Sequence, residues 1–224
     1  ALPEKEKEKK MAKKVFRTKL CDILGIEYPI ILAGMGNPSF GGFSPDGLPT
    51  TAGSKLAAAV SEAGGFGVIG AGGLTPEEMR REIREVRRLT DKPFGIDMMF
   101  PESPAKLGSI SELKANIAKQ YPEQVAYVEK LHKEFGIPKA RAADLHMWEP
   151  DYIQQQADVI FDEKVFALAM GLGTPEWAVE RARAQGMKVI SIVGNVRQAR
   201  RVAERGADII VAQGYDGGGH TGRI

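Results

Sequence analysis

The segment D-G-G-G-H-T-G, residues 216–222, concentrates the features of this chain best suited to chemistry. Ordering three consecutive glycines costs backbone entropy, so a turn that needed only one left-handed residue would not require them. The tract leaves room for a planar ring against the main chain and places His220 over it. An imidazole titrates near neutrality and suits proton removal from a weak carbon acid, or hydrogen bonding to an anion. The alternative is that His220 caps the glycine turn and faces solvent. Asp97 stands apart from the other carboxylates because it lies in an apolar run, PFGIDMM at 93–99. A buried acid needs a hydrogen-bonding partner, which would be a ligand's polar edge or a neighbouring loop N–H. His132, amid Lys130, Lys133 and Glu134, reads as a solvated helix residue; His146, beside Met147 and Trp148, is a candidate substrate contact. No two histidines have metal-ligand spacing, so no metal is expected. Neither a G-x-S-x-G nucleophile elbow nor a G-x-x-x-x-G-K-[ST] phosphate loop is present, which removes the best support for hydrolase and NTPase chemistry.

GFGVIG at 65–70 satisfies G-x-G-x-x-G, but the dinucleotide fingerprint requires a strand before the first glycine and a helix at the last. Here a helical pattern enters the motif: SKLAAAVSEAGG, residues 54–65, has Leu56, Val60 and Ala63 on one stripe and Gly64 and Gly65 as its stop. The next helix starts only at Thr75, where TPEE reads as an N-cap, a Pro at the first position and a capping-box Glu78. The glycines therefore straddle a strand, and the motif is no nucleotide clamp.

The elements that position these residues follow one rhythm. Near-continuous apolar runs at 29–34, 66–71, 93–99, 165–170, 188–193 and 208–213 predict six strands covered on both faces, hence a parallel sheet. Helical patterns alternate with them, and two of these helices end in Gly186 and Gly206 just before the next strand. The fold class expected is α/β, a parallel (β/α)8 TIM barrel with about six βα units present. Two further units would have to follow Ile224; an open doubly wound sheet is the alternative. The domains expected are a mobile arm at 1–19 and a barrel at 20–224, with a helical insertion or lid at 101–160 after the third strand. Ligands of such folds gather at the C-terminal ends of the strands, where this chain is repeatedly glycine-rich.

The chain has 224 residues, 43% of them apolar, and a net charge of +2, with its basic residues spread over helix faces. Nucleic acid is not an expected partner. No run reaches the about 18 apolar residues of a membrane span, and the first stretch has no secretory h-region. The single cysteine, Cys21, precludes an internal disulfide and reads as a small buried hydrophobe, which fits a cytoplasmic location. The expected partner is a small-molecule substrate, with self-association left open.

LGIEYPIILAGMG, LAAAVSEAGGFGVIGAGGLTPEEM, PFGIDMM and DIIVAQGYDGGGHTG, in that order, resemble the nitronate monooxygenase family, formerly the 2-nitropropane dioxygenases. The resemblance spans residues 20–222 apart from 101–160. It implies an FMN-containing TIM barrel in which Ala33, Gly34 and Met35 lie along the flavin, Gly70 and Ala71 border it and Asp97 faces it. Gly218 and Gly219 match the family's glycine loop, and His220 corresponds to the catalytic base or the ligand of the substrate anion. Asp97 departs from the amide often found at its position, and Tyr215–Asp216–Gly217 stands where many relatives have Glu-Ala-Gly. The activity implied is FMN-dependent oxidation of alkyl nitronates by oxygen to a carbonyl compound and nitrite. Two alternatives remain: an FMN-dependent reductase of enoyl thioesters that uses NAD(P)H, and a truncated, non-catalytic flavin-binding fragment.

Overall fold

The computed structural model describes residues 16–36, 51–100, 110–137 and 150–219. In chain order the helices are α1 (Lys19–Leu24), α2 (Ser54–Glu62), α3 (Pro76–Leu89), α4 (Ile110–Gln120), α5 (Pro122–Glu134), α6 (Pro150–Glu163), α7 (Glu176–Ala184) and α8 (Val196–Glu204). The strands are β1 (Gly67–Gly70), β2 (Phe94–Met99), β3 (Ala167–Gly171), β4 (Lys188–Val193) and β5 (Ile209–Ala212). All pairings are parallel and the strands stand side by side in chain order. This is the sequential βα arrangement of the TIM-barrel class; a doubly wound sheet would reverse its order midway.

The first expected strand, 29–34, is reduced to a single parallel bridge between Ile31 and Phe66. Pro29 has no N–H to donate, and beyond Leu32, whose N–H donates to Phe66 O, the chain turns out of register. The run still occupies its expected place, as the neighbour of β1.

Side-chain alternation divides the sheet's surroundings into two cores. Ile69, Ile96, Leu168 and Val189 lie in register on one face, packed with Met79, Ile83, Val86, Ile160 and Val179 of the crossover helices. Burying each such aliphatic side chain stabilises by about 1.5–3 kcal/mol. Phe66, Val68, Ala167, Ala169 and Ile190 lie on the other face, the barrel's inner one, with Cys21, Leu24 and Ile26 of α1 and its following turn. Cys21 is thus the buried hydrophobe expected.

Helix boundaries follow the local chemistry. Thr75 and Glu78 form the predicted capping box, with Glu78 N–H donating to Thr75 Oγ1 at 3.2 Å and Thr75 N–H to Glu78 Oε2 at 2.9 Å. Gly186 and Gly206 adopt the left-handed φ of 74° and 94° that ends a helix. Three arginines of α3, Arg80, Arg84 and Arg87, converge on Glu163 at the end of α6 at 3.1, 3.0 and 2.6 Å. Burial opposes ionisation of Glu163, but the hydrogen bonds from Arg87 and Arg80 and the charge of Arg84 outweigh it and hold the carboxyl below its usual range. Within the 101–160 stretch, α5 buries none of its side chains, whereas α6 enters the outer core through Ile153, Ala157, Ile160 and Phe161 and delivers the chain to β3. No helix among the described residues is long and apolar enough to cross a membrane.

The expected stripe of α2 is corrected. Leu56 is 38% exposed and Ala63 is exposed, while Ser54, Ala57, Ala58 and Ser61 face the core. The reason is how closely α2 approaches β1: a Cβ on Gly67 would lie 1.9 Å from Ala57 O. Only small side chains fit such a contact, and Ser61 Oγ uses it to accept Gly67 N–H at 3.1 Å while donating to Pro93 O at 3.0 Å. Gly67→Ala must push α2 off the sheet, and urea denaturation is expected to show a loss of about 1–3 kcal/mol.

Candidate active site

Because every strand runs the same way, their C-terminal ends share one rim. Asp97 lies near that end of β2, in register with Gly70 of β1 and Ala169 of β3. The three share the inner face, so the carboxyl is flanked by the two smallest side chains available. Its Oδ1 is buried and has no hydrogen-bond partner among the described residues. Burial alone pushes the carboxyl up to about 7.

The chain that follows the Ile31 bridge lies directly over this acid. A Cβ on Gly34 would fall 2.2 Å from both Cβ and Oδ2 of Asp97, and one on Gly70 would fall 2.3 Å from Met35 O. Glycine is therefore required at both positions by close approach. Two main-chain bonds fix the loop: Ala52 N–H donates to Met35 O at 3.1 Å, and Gly70 N–H donates to Ala52 O at 2.9 Å. Ala71 N–H donates to Asp97 O at 2.9 Å. Ala33, Gly34, Met35, Gly70, Ala71 and Asp97, named from sequence, are thus gathered in one place. Gly70 and Ala71 are buried behind the loop, whereas Ala33 and Met35 are exposed.

The other candidates are placed differently. Gly218 and Gly219 follow β5 on the same rim, three strands along from Asp97, with left-handed φ of 67° and 66°. Gly218 O accepts from Gln213 Nε2 at 3.3 Å, which folds this loop back on its strand. His220 and His146 lie outside the described residues. His132 is half-buried on α5, and no group of acids, histidines or cysteines among the described residues could hold a metal.

Leu172 was not anticipated. It stands at the end of β3 with φ of 61° and 44% of its surface exposed, between Gly171 and Gly173. A left-handed conformation costs a branched residue about 1–2 kcal/mol, and such strain collects where a ligand is held. The sequence signal was the G-L-G triplet, which reads as an ordinary glycine turn, whereas the left-handed residue is the leucine between the glycines. Phe100 N–H donates to Gly171 O at 3.0 Å and binds the ends of β2 and β3 together.

This arrangement suits a flat, polar heterocycle. Glycine main chain would allow a ring to approach, Met35 and Leu172 offer apolar surface, and the orphaned Asp97 Oδ1 would supply a polar contact to fix its orientation.

The profile described as nitronate monooxygenase matches residues 17–224. The chain belongs to the nitronate monooxygenase family. It is 32% identical over 207 residues to a Staphylococcus aureus protein named probable nitronate monooxygenase, covering 92% of this chain and 51% of that one. A Staphylococcus saprophyticus protein of the same name is 28% identical over 206 residues, 92% of this chain and 51% of its own. The chain thus spans about half the length of the relatives it matches. Among solved structures it resembles the nitroalkane oxidase of Streptomyces ansochromogenes, with a TM-score of 0.65 at 26% identity over 92% of this chain and 51% of that one. It also resembles FabK of Thermotoga maritima, with a TM-score of 0.60 at 28% identity over 94% and 48%.

The buried acid has a consequence for stability. Asp97 keeps its proton in the folded protein up to about pH 7, whereas an unfolded aspartate loses it near 3.8. Between those values the folded state binds more protons, so stability falls as pH rises and levels off above the folded midpoint. The loss is at most about 4 kcal/mol, reduced by whatever the site recovers through relaxation. Urea denaturation across this range, without added ligand, is expected to show that decline in the wild type and not in Asp97→Asn.

Proposed function

We propose that the protein is an FMN-dependent oxidoreductase that oxidises alkyl nitronates with oxygen to a carbonyl compound and nitrite. The observation that carries this reading is the orphaned Asp97 Oδ1 beneath a loop with glycine at its tightest contact, on the strand rim of a chain from this family. The main chain of Ala33, Gly34 and Met35 would lie along the flavin, with Gly70 and Ala71 backing that loop and Asp97 orienting the ring. His220, which follows Gly218 and Gly219 in the sequence, would supply the imidazole of this reading. When bound, FMN supplies the electron-accepting ring that no side chain can replace.

The protein's own part is orientation and charge. A nitronate spreads its negative charge over two oxygens and a carbon, and an imidazole N–H at position 220 would stabilise that anion, while an unprotonated imidazole nitrogen there would take the proton from the neutral nitroalkane. Met35 and Leu172 would keep bulk water from one side of the substrate. A cytoplasmic location belongs to the same proposal, supported by the lone, buried Cys21. The second reading, reduction of an enoyl thioester with NAD(P)H, draws on the same rim residues and differs in its electron donor.

Incubation with FMN and an alkyl nitronate in air is expected to release nitrite, with NADPH left unconsumed. NADPH oxidation stimulated by an enoyl thioester, without nitrite, would install the reductase instead. His220→Ala is expected to lower the rate of nitrite release at least about a hundredfold while FMN still binds, since a general acid or base typically contributes 10²–10⁴-fold. An unchanged rate removes His220 from the chemistry.

A further inference from the structure

The carboxyl of Asp97 meets Gly34 on the loop, and the residue stands in register between Gly70 on β1 and Ala169 on β3, with Ile96 and Met98 as its neighbours along β2. None of these residues is ionisable, and Met35 on the overlying loop is not either. Among the described residues no donor reaches Oδ1, and no charged group contributes to the shift of this acid, which burial alone produces. A ring laid over the inner face at this rim would take away the water that still reaches the group, disfavouring its charge further.

The two protonation states also offer different hydrogen bonds. A carboxylate only accepts; a neutral acid presents one O–H donor beside one acceptor. The pyrimidine edge of a flavin alternates carbonyl oxygens with an N–H. Against that edge the neutral acid makes a matched pair of bonds, whereas a carboxylate sets an unpaired lone-pair oxygen against a carbonyl. Resting on the flavin reading above, we propose that Asp97 holds the ring as a neutral carboxylic acid, so that flavin binding takes up one proton and the occupancy of this site is set by pH. The step is balanced: the ionised Asp97, one solvent proton and FMN give the complex with the protonated acid, and no other group changes its charge.

The test is a titration of FMN into the wild type and Asp97→Asn from about pH 6 to about pH 9, followed by flavin fluorescence. Riboflavin is run in parallel, because the FMN phosphate itself titrates near pH ~6. The Asn side chain has the same shape and keeps a donor beside an acceptor at every pH. The wild-type Kd is expected to rise toward about tenfold per pH unit on the alkaline side for both ligands, and that of Asp97→Asn to stay flat. Calorimetry at about pH 8 in two buffers of different ionisation enthalpy is expected to show about one proton taken up per flavin bound by the wild type and none by the variant. A flat wild-type Kd, or the same slope in both proteins, overturns the proposal and leaves the flavin site standing. If Asp97→Asn does not fold, the wild-type proton count decides alone, and a count of zero overturns the proposal. Failure of the wild type to bind either ligand at any pH overturns this proposal and the flavin reading together.

Discussion

Gly34 lies so close to Asp97 that a single added carbon would overlap the carboxyl, and the organisation of the rim depends on that contact. It turns a polar side chain at a strand end into a buried one, and it brings the Met35 carbonyl against Gly70. The same contact is wired into the body of the protein. Met35 O accepts from Ala52 N–H, Ala52 O accepts from Gly70 N–H, and two residues later Ser54 starts α2. The Ser54 N–H donates at 2.7 Å to Glu82 Oε2, a buried carboxylate on α3. α2 in turn rests on Gly67 too closely for any Cβ. The loop over Asp97 is therefore held by the first two crossover helices as well as by β1.

Two opposing costs are fixed in this arrangement. The outer core of aliphatic side chains, in register across four strands, supplies the stability. The inner face gives some of it up at the rim, where Asp97 Oδ1 is buried with no partner among the described residues and Leu172 is held left-handed. Neither feature helps the ligand-free chain fold, because an unsatisfied buried polar group and a strained φ each cost on the order of 1–3 kcal/mol. Both lie at the ends of adjacent strands, β2 and β3, which Phe100 and Gly171 tie together. A bound ring able to hydrogen-bond Oδ1 would recover part of the first cost as binding energy.

Much of this was legible in the sequence because it is locally encoded. The strands from β1 to β5 appear as apolar runs because both faces of a parallel sheet are covered, and their order follows from the chain. The Thr75 capping box and the glycine stops at 186 and 206 depend only on neighbouring residues, so they too could be read directly. What misled was contact between distant segments. The buried face of α2 is set by how close β1 comes, which no helical periodicity reports; Leu56 therefore points outward while two alanines pack inward. The run at 29–34 has a strand's composition, yet pairing fails beyond one bridge because the chain turns to cover Asp97. Residue types at the rim were readable, and the lack of a partner for Asp97 Oδ1 was not, since it depends on where three separate segments meet.

The identity of residue 97 also bears on selectivity. Its in-register neighbours are Gly70 and Ala169, and the loop residue that meets it among those described is Gly34, which has no side chain. With so little other polarity among the described residues at this point of the inner face, this one carboxyl would decide which hydrogen-bonding pattern a bound ring must present. Were a lysine or arginine beside it, the acid would ionise and select a donor-rich edge instead. The apolar, glycine-lined setting keeps it neutral up to about pH 7, and a neutral acid favours a ring edge on which donor and acceptor stand side by side. The same glycines that admit the loop also bury the acid beneath it, and a side chain at position 34 or 70 would displace the loop.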